Sequence, residues 1–142
     1  LADRAGERDF WENRRRPAFS RLANASGEPT PELRAYKVAV TTLDEITRES
    51  PPIGFIKLDV EGGEFAALQG AASLLERDRP AILFECGAEA DGESVFSFLQ
   101  SRRYSIVTAR GFLHGEEPLT LARFDDRRRY PAQAFNFIAR PI

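Results

Sequence analysis

The stretch Ile53-Gly54-Phe55-Ile56-Lys57-Leu58-Asp59-Val60-Glu61-Gly62-Gly63 decides the fold class. Up to Lys57 its apolar residues occupy both alternating faces, the pattern of a strand covered on both sides. From Lys57 a charge enters at every second position, and Gly62-Gly63 ends the run. Glu64 to Arg77 reads as a helix, with Phe65, Leu68, Ala72 and Leu75 on one face. Pro80 stops it, and Ala81-Ile82-Leu83-Phe84 reads as a second buried strand. Glu93 to Arg103 is a second predicted helix, and Tyr104-Ser105-Ile106-Val107 a third strand. Strand, helix, strand, helix, strand predicts an α/β fold with a mostly parallel sheet and right-handed crossovers. Residues 111–131 hold Gly111, Gly115, Pro118 and Pro131 and read as loop. The last strand, Ala134 to Ala139, then lacks a crossover helix and is expected to run antiparallel beside a neighbour.

Upstream the pattern is weaker. A short strand near Arg8–Glu12 and a second from Arg34 to Thr41 flank an excursion, of which Ala25 to Pro31 reads as loop. In the second strand Tyr36, Val38 and Val40 alternate with Lys37, Ala39 and Thr41, as in a half-buried strand. Thr42-Leu43-Asp44-Glu45-Ile46 starts a short helix with Thr42 or Asp44 as its cap, and Pro51-Pro52 ends it. The chain thus divides into a strand-and-loop excursion over residues 1–41 and an α/β unit over residues 42–142.

At 142 residues the chain is one domain or part of one. With 42% hydrophobic and 30% charged residues it has globular composition, which excludes disordered and collagen-like classes. No stretch approaches the roughly 18 apolar residues of a membrane-spanning helix. Residues 1–16 are charged throughout and hold no signal-peptide core, so no membrane contact and a cytoplasmic location are expected. One cysteine, Cys86, and one histidine, His114, exclude an internal disulfide, a cysteine-based zinc cluster and a multi-histidine metal site. Twenty Lys and Arg against twenty-two Asp and Glu leave a net charge of −2, so no global basic field calls for nucleic acid. The chain has no methionine and opens on Leu1, and so reads as a fragment whose upstream part is missing.

In open α/β sheets ligands bind beyond the carboxyl ends of the strands. Two such ends carry acids here, Lys57-Leu-Asp59-Val-Glu61-Gly-Gly-Glu64 and Phe84-Glu85-Cys86-Gly87. Alternation puts Lys57, Asp59 and Glu61 on one side if the strand stays extended, and Glu85 faces the same crevice if the strands are neighbours. Charges at the end of a buried strand are costly unless paired, which couples Lys57 to Asp59 or Glu61. Glu64 is also explained by the helix dipole, Asp44 by capping and Cys86 by packing. His114 reads as a loop residue, while Arg14–Arg16 and Arg127–Arg129 read as solvated runs able to steer an anion. Such carboxylates fit a divalent-metal phosphodiesterase or hydrolase, with Asp59, Glu61 and Glu85 as ligands. They equally fit a group transfer in which they act as base or orient a hydroxyl. A non-catalytic module is the third alternative.

Thr42-Leu43-Asp44-Glu45, then Ile56-Lys57-Leu58-Asp59-Val60-Glu61-Gly62-Gly63-Glu64, then Leu68-Gln69-Gly70-Ala71 resembles the FkbM family of S-adenosylmethionine-dependent methyltransferases. Arg79-Pro80-Ala81-Ile82-Leu83-Phe84-Glu85 is similar to the family's next strand, and Phe135-Asn136-Phe137-Ile138-Ala139 to its closing one. The resemblance implies the second half of a Rossmann-like methyltransferase sheet, with an antiparallel last strand inserted between two parallel ones. It implies S-adenosylmethionine as cofactor and O-methylation of a sugar or natural-product-like hydroxyl, the partner being a small-molecule or glycan acceptor. Asp59, Glu61 and Lys57 are then the catalytic residues, the carboxylates as base or acceptor-orienting groups and Lys57 as charge balance. Glu64 and Glu85 fall to substrate binding, and no metal is implied. The family's glycine-rich cofactor turn is missing, since Gly62-Gly63 and Gly111 lack its spacing. That cofactor-binding half is expected upstream of Leu1, leaving the fragment inactive and a poor cofactor binder alone.

Overall fold

The computed structural model describes residues 1–17, 20–23, 33–88, 90–129 and 134–142. The loop expected over Ala25 to Pro31, and Pro131, lie outside these. Strands β1 (Gly6–Asn13), β2 (Arg21–Leu22) and β3 (Leu33–Val40) form an antiparallel sheet in the order β2-β1-β3. Phe10 faces Tyr36 across the β1–β3 ladder. The alternation read in β3 holds only at its end, where Val40 is buried while Tyr36 is exposed.

The second sheet carries the candidate chemistry. It contains β4 (Phe55–Leu58), β5 (Ala81–Glu85), β6 (Tyr104–Thr108) and β7 (Asn136–Pro141) in the order β4-β5-β7-β6. The β4–β5 ladder is parallel, and β7 runs antiparallel to both β5 and β6, so three strands share one direction and the inserted one opposes them. The expected antiparallel last strand is therefore present, within a mixed α/β architecture.

One face of this sheet is the core. Leu58, Ile82, Phe84, Ile106, Phe137 and Ala139 pack there against helices α2 (Glu64–Gln69), α3 (Ala72–Arg77), α4 (Gly92–Ser101) and α6 (Leu121–Arg128). The ring of Phe124 on α6 lies tilted against that of Phe137, centroids 4.6 Å apart, closing an aromatic cluster with Phe84 and Phe96. The other face of β4 is open, with Phe55 57% exposed and Lys57 exposed. The double-faced covering expected of the Ile53–Val60 run is thus not met: Ile56 and Leu58 pack toward the core, while Phe55 and Lys57 on the opposite face are exposed.

Two further expectations change. The single helix over Glu64 to Arg77 is two, broken at Gly70-Ala71. At the break the Gly70 carbonyl accepts from the Asp44 N–H and the Leu74 N–H donates to the Asp44 carboxylate, so the helical bond between the two is not made. A Cβ on Gly70 would also collide with the Ala2 carbonyl oxygen, where the N-terminal segment crosses. The region read as loop-rich holds α5 (Ala109–Leu113) and α6. Thr108 and Thr120 cap them, accepting hydrogen bonds from the N–H groups of Gly111 and Arg123.

The short helix α1 (Leu43–Ile46) begins as expected at Thr42, whose hydroxyl accepts from the Glu45 N–H at 3.0 Å. No helix among the described residues is long and apolar enough to cross a membrane.

Candidate active site

The acids gather at the carboxyl ends of β4 and β5. Strand β4 stops at Leu58, and the chain then turns sharply, with Glu61 at φ 46° and Gly62 at φ 83°. The extended alternation that would set Lys57, Asp59 and Glu61 on one side therefore ends at Asp59. Lys57 and Asp59 form an exposed ion pair, Nζ to Oδ2 at 2.6 Å. Glu61 is carried by the turn into a cleft of about 410 Å³, whose lining also includes Gly62, Glu64, Glu85, Gly87 and Phe135.

Glu64 is only 3% exposed. Its Oε1 accepts hydrogen bonds from the N–H groups of Val60 at 3.3 Å and Gly62 at 3.2 Å, fixing the turn that presents Glu61. Its place in the first helical turn also matches its charge to the α2 dipole. The carboxylate thus ties strand end to helix start while one wall of the cleft is built on it.

Glu85 ends β5, pairing with Asn136 of β7. Partial burial pushes its carboxyl above the usual range, and the charges of Asp59 and Glu61 push it further, while Lys57 works in the opposite direction. The charges of Lys57, Asp59 and Glu61 are thus all felt at Glu85. Next along, Cys86 is buried, and desolvation raises its thiol to about 11, so it stays protonated near neutral pH and is no nucleophile. Among the described residues no three or more His, Cys, Asp or Glu side chains are arranged to hold a metal ion. The ligand set required for hydrolase chemistry, Asp59 with Glu61 and Glu85, is not assembled.

Residues 5–112, more than half of the chain, match the family described as the methyltransferase FkbM domain. The chain belongs to the FkbM methyltransferase family. No curated protein and no solved structure matches it.

Beyond the matched residues lies one supporting side chain that the sequence reading did not single out. Arg128, taken with its neighbours as a solvated run, is 5% exposed. Its Nη1 donates to the carbonyls of Gly87 at 2.7 Å, Ala88 at 3.2 Å and Ala90 at 2.9 Å, and Nη2 pairs with Asp125 at 2.9 Å. It thereby holds the β5–α4 loop that walls the acidic cleft of the FkbM domain. The available signal was Phe124 and Arg128 four residues apart on one helical face, hidden by the loop reading of residues 111–131.

Proposed function

We propose that this chain serves an S-adenosylmethionine-dependent methyltransferase that O-methylates a hydroxyl of a sugar or natural-product-like small molecule or glycan. The observation that carries the proposal is Glu85, a carboxylate with raised proton affinity at a strand tip, sharing one cleft with Glu61 and Glu64 inside an FkbM methyltransferase domain. The sheet order, with β7 reversed between β5 and β6, supports reading it as part of a Rossmann-like methyltransferase sheet.

When bound, S-adenosylmethionine supplies an electrophilic methyl group carried on a sulfonium cation. The chemistry of the donor set fits that end of the cofactor: Glu61, Glu64 and Glu85 offer negative charge around the cleft. Among the described residues no glycine-rich turn with dinucleotide spacing joins a strand to a helix, so the nucleoside end finds no such holder. The chain by itself is accordingly a weak binder of the cofactor, and micromolar affinity by calorimetry would count against that.

Glu85 takes the proton of the acceptor hydroxyl as the oxygen acquires its methyl group. A base is most effective when its pKa lies near the operating pH, and burial with two neighbouring carboxylates moves Glu85 that way. Asp59 and Glu61 raise this proton affinity, Glu61 also orients the hydroxyl from the cleft wall, and Lys57 limits the accumulated negative charge. Arg128 keeps the facing loop in place.

The test is transfer of labelled methyl from S-adenosylmethionine to a panel of hydroxylated small molecules by the full-length natural protein. Loss of transfer by roughly a hundredfold or more in Glu85→Gln is expected of a general base. Undiminished transfer in that variant would remove Glu85 from the chemistry.

A further inference from the structure

A second cleft lies at the same edge of the sheet, beyond β7. It measures about 630 Å³ and is lined by Arg110, His114, Glu116, Arg127, Phe135 and Asn136, among others. Neither Arg110 nor Arg127 forms an ion pair among the described residues, whereas the adjacent Arg128 and Arg129 are both tied to Asp125. Glu116 is the carboxylate in the lining, so two guanidiniums face one acid, with an exposed imidazole beside them. Unpaired guanidiniums around a concavity match the geometry of carboxylate or phosphate oxygens, which they bind through paired N–H donors.

The position relative to the acidic cleft gives this feature its meaning. Phe135 lines both clefts and is 40% exposed, so they adjoin across its ring. Glu85 and Thr108 lie on the strands flanking β7, opposite Asn136 and Phe137 respectively. Two strand spacings separate these flanking strands, roughly 10 Å. A small molecule of one or two rings spans that distance, with a ring face available to Phe135.

We propose that the acceptor is an anionic molecule, with its hydroxyl at Glu85 and a carboxylate or phosphate held by Arg110 and Arg127 in the adjoining cleft. The hydroxyl half of this inference rests on the methyltransferase reading; the anion half does not.

The experiment is amide NMR of the full-length protein titrated with glucuronate, glucose 6-phosphate and glucose at low ionic strength. The two anions are expected to shift resonances around Arg110, His114 and Asn136, and glucose to leave them in place. The tighter of the two distinguishes a carboxylate from a phosphate acceptor. Arg110→Gln with Arg127→Gln should weaken anion binding at least tenfold, while Arg110→Lys with Arg127→Lys retains most of it. Both side chains are exposed, and each single glutamine variant provides the same readout separately. Equal binding of glucose, shifts confined to other surfaces, or unchanged anion affinity in the glutamine variants would overturn the inference. Anion binding without methyl transfer would refute the methyltransferase reading alone. Methyl transfer to a neutral acceptor, unaffected by the glutamine substitutions, would refute the anion site alone.

Discussion

Asp44 caps a helix other than its own: its Oδ1 accepts a 2.7 Å hydrogen bond from the backbone N–H of Leu74, thirty residues along the chain. Oδ2 accepts a second from Ser73 at 3.0 Å, so two of the orphan donors at the start of α3 are satisfied by one carboxylate. The helix needs this help because its own N-cap position is Ala71, which has no acceptor. The Asp44 N–H in turn donates to the Gly70 carbonyl at 2.8 Å, locking α1 to the α2–α3 junction.

Replacing Asp44 with alanine should therefore destabilise the fold by about 1–2 kcal/mol, the range of a lost N-cap. Asp44→Asn, which keeps one acceptor oxygen, should cost less. Urea unfolding of the three proteins makes the comparison, and an Asp44→Ala midpoint equal to wild type would refute the capping role.

The same contacts explain what the sequence disclosed and what it withheld. Thr42-Leu43-Asp44-Glu45 and Leu68-Gln69-Gly70-Ala71 are legible as family motifs, and both prove to be joints of the scaffold. Thr42 caps α1, Asp44 caps α3, and Gly70 clears the path of the Ala2 carbonyl. Capping across thirty residues and a backbone crossing leave no local signal, so one amphipathic pattern over Glu64 to Arg77 concealed the break. Strands β4 to β7 were readable because each turns at least one apolar face to the core. Helix α6 was not, since its mostly polar sequence buries Phe124 and Arg128. The acidic residues at the strand tips were readable as an unusual cost at a buried strand's end. Their division into an exposed Lys57–Asp59 pair and a cleft holding Glu61, Glu64 and Glu85 depended on a left-handed turn at Glu61.

Tyr104 offers a substitution of opposite sign. It is fully buried, and among the described residues its hydroxyl has no hydrogen-bond partner. A buried polar group left unmatched costs stability, and burial also raises its proton affinity despite the nearby Arg79. Tyr104→Phe keeps the ring under the Arg79 guanidinium, 5.4 Å away, and removes the orphan oxygen. A gain of about 1 kcal/mol in thermal or urea unfolding is expected. A loss would mean that the hydroxyl has a partner after all.

Acid should act through Asp78. Its carboxylate is held down to about 2 by the Arg77 guanidinium and by the N–H of Ile53, which donates at 2.9 Å where the chain enters β4. A depressed folded-state pKa contributes stability that is complete above the unfolded value, about 3.9, and disappears as pH falls through 2. Wild type should therefore exceed Asp78→Asn in urea midpoint at pH 6, with the gap closing between about pH 4 and 2. A gap independent of pH across that window would show that the carboxylate's charge is not its source.

Glu85 has the reverse sign. Because the fold raises its pKa, protonated Glu85 stabilises the native state at pH values below the unfolded carboxyl's, about 4.3, and that contribution is lost as pH rises through the folded value. At neutral pH the ionised side chain is thus a burden on the fold, and Glu85→Gln should be more stable than wild type, with the advantage shrinking as pH falls toward 4. The neighbours supply the controls. Asp59→Asn removes one of the two charges that raise Glu85, so its side-chain carboxyl resonance should titrate at lower pH. Lys57→Met removes the opposing cation and should move that titration to higher pH. Carbon-detected NMR of Glu85 in the three backgrounds reads these shifts without any acceptor present. If neither substitution moves the titration, the Lys57–Asp59 pair does not tune Glu85, and its place beside the cleft is structural alone.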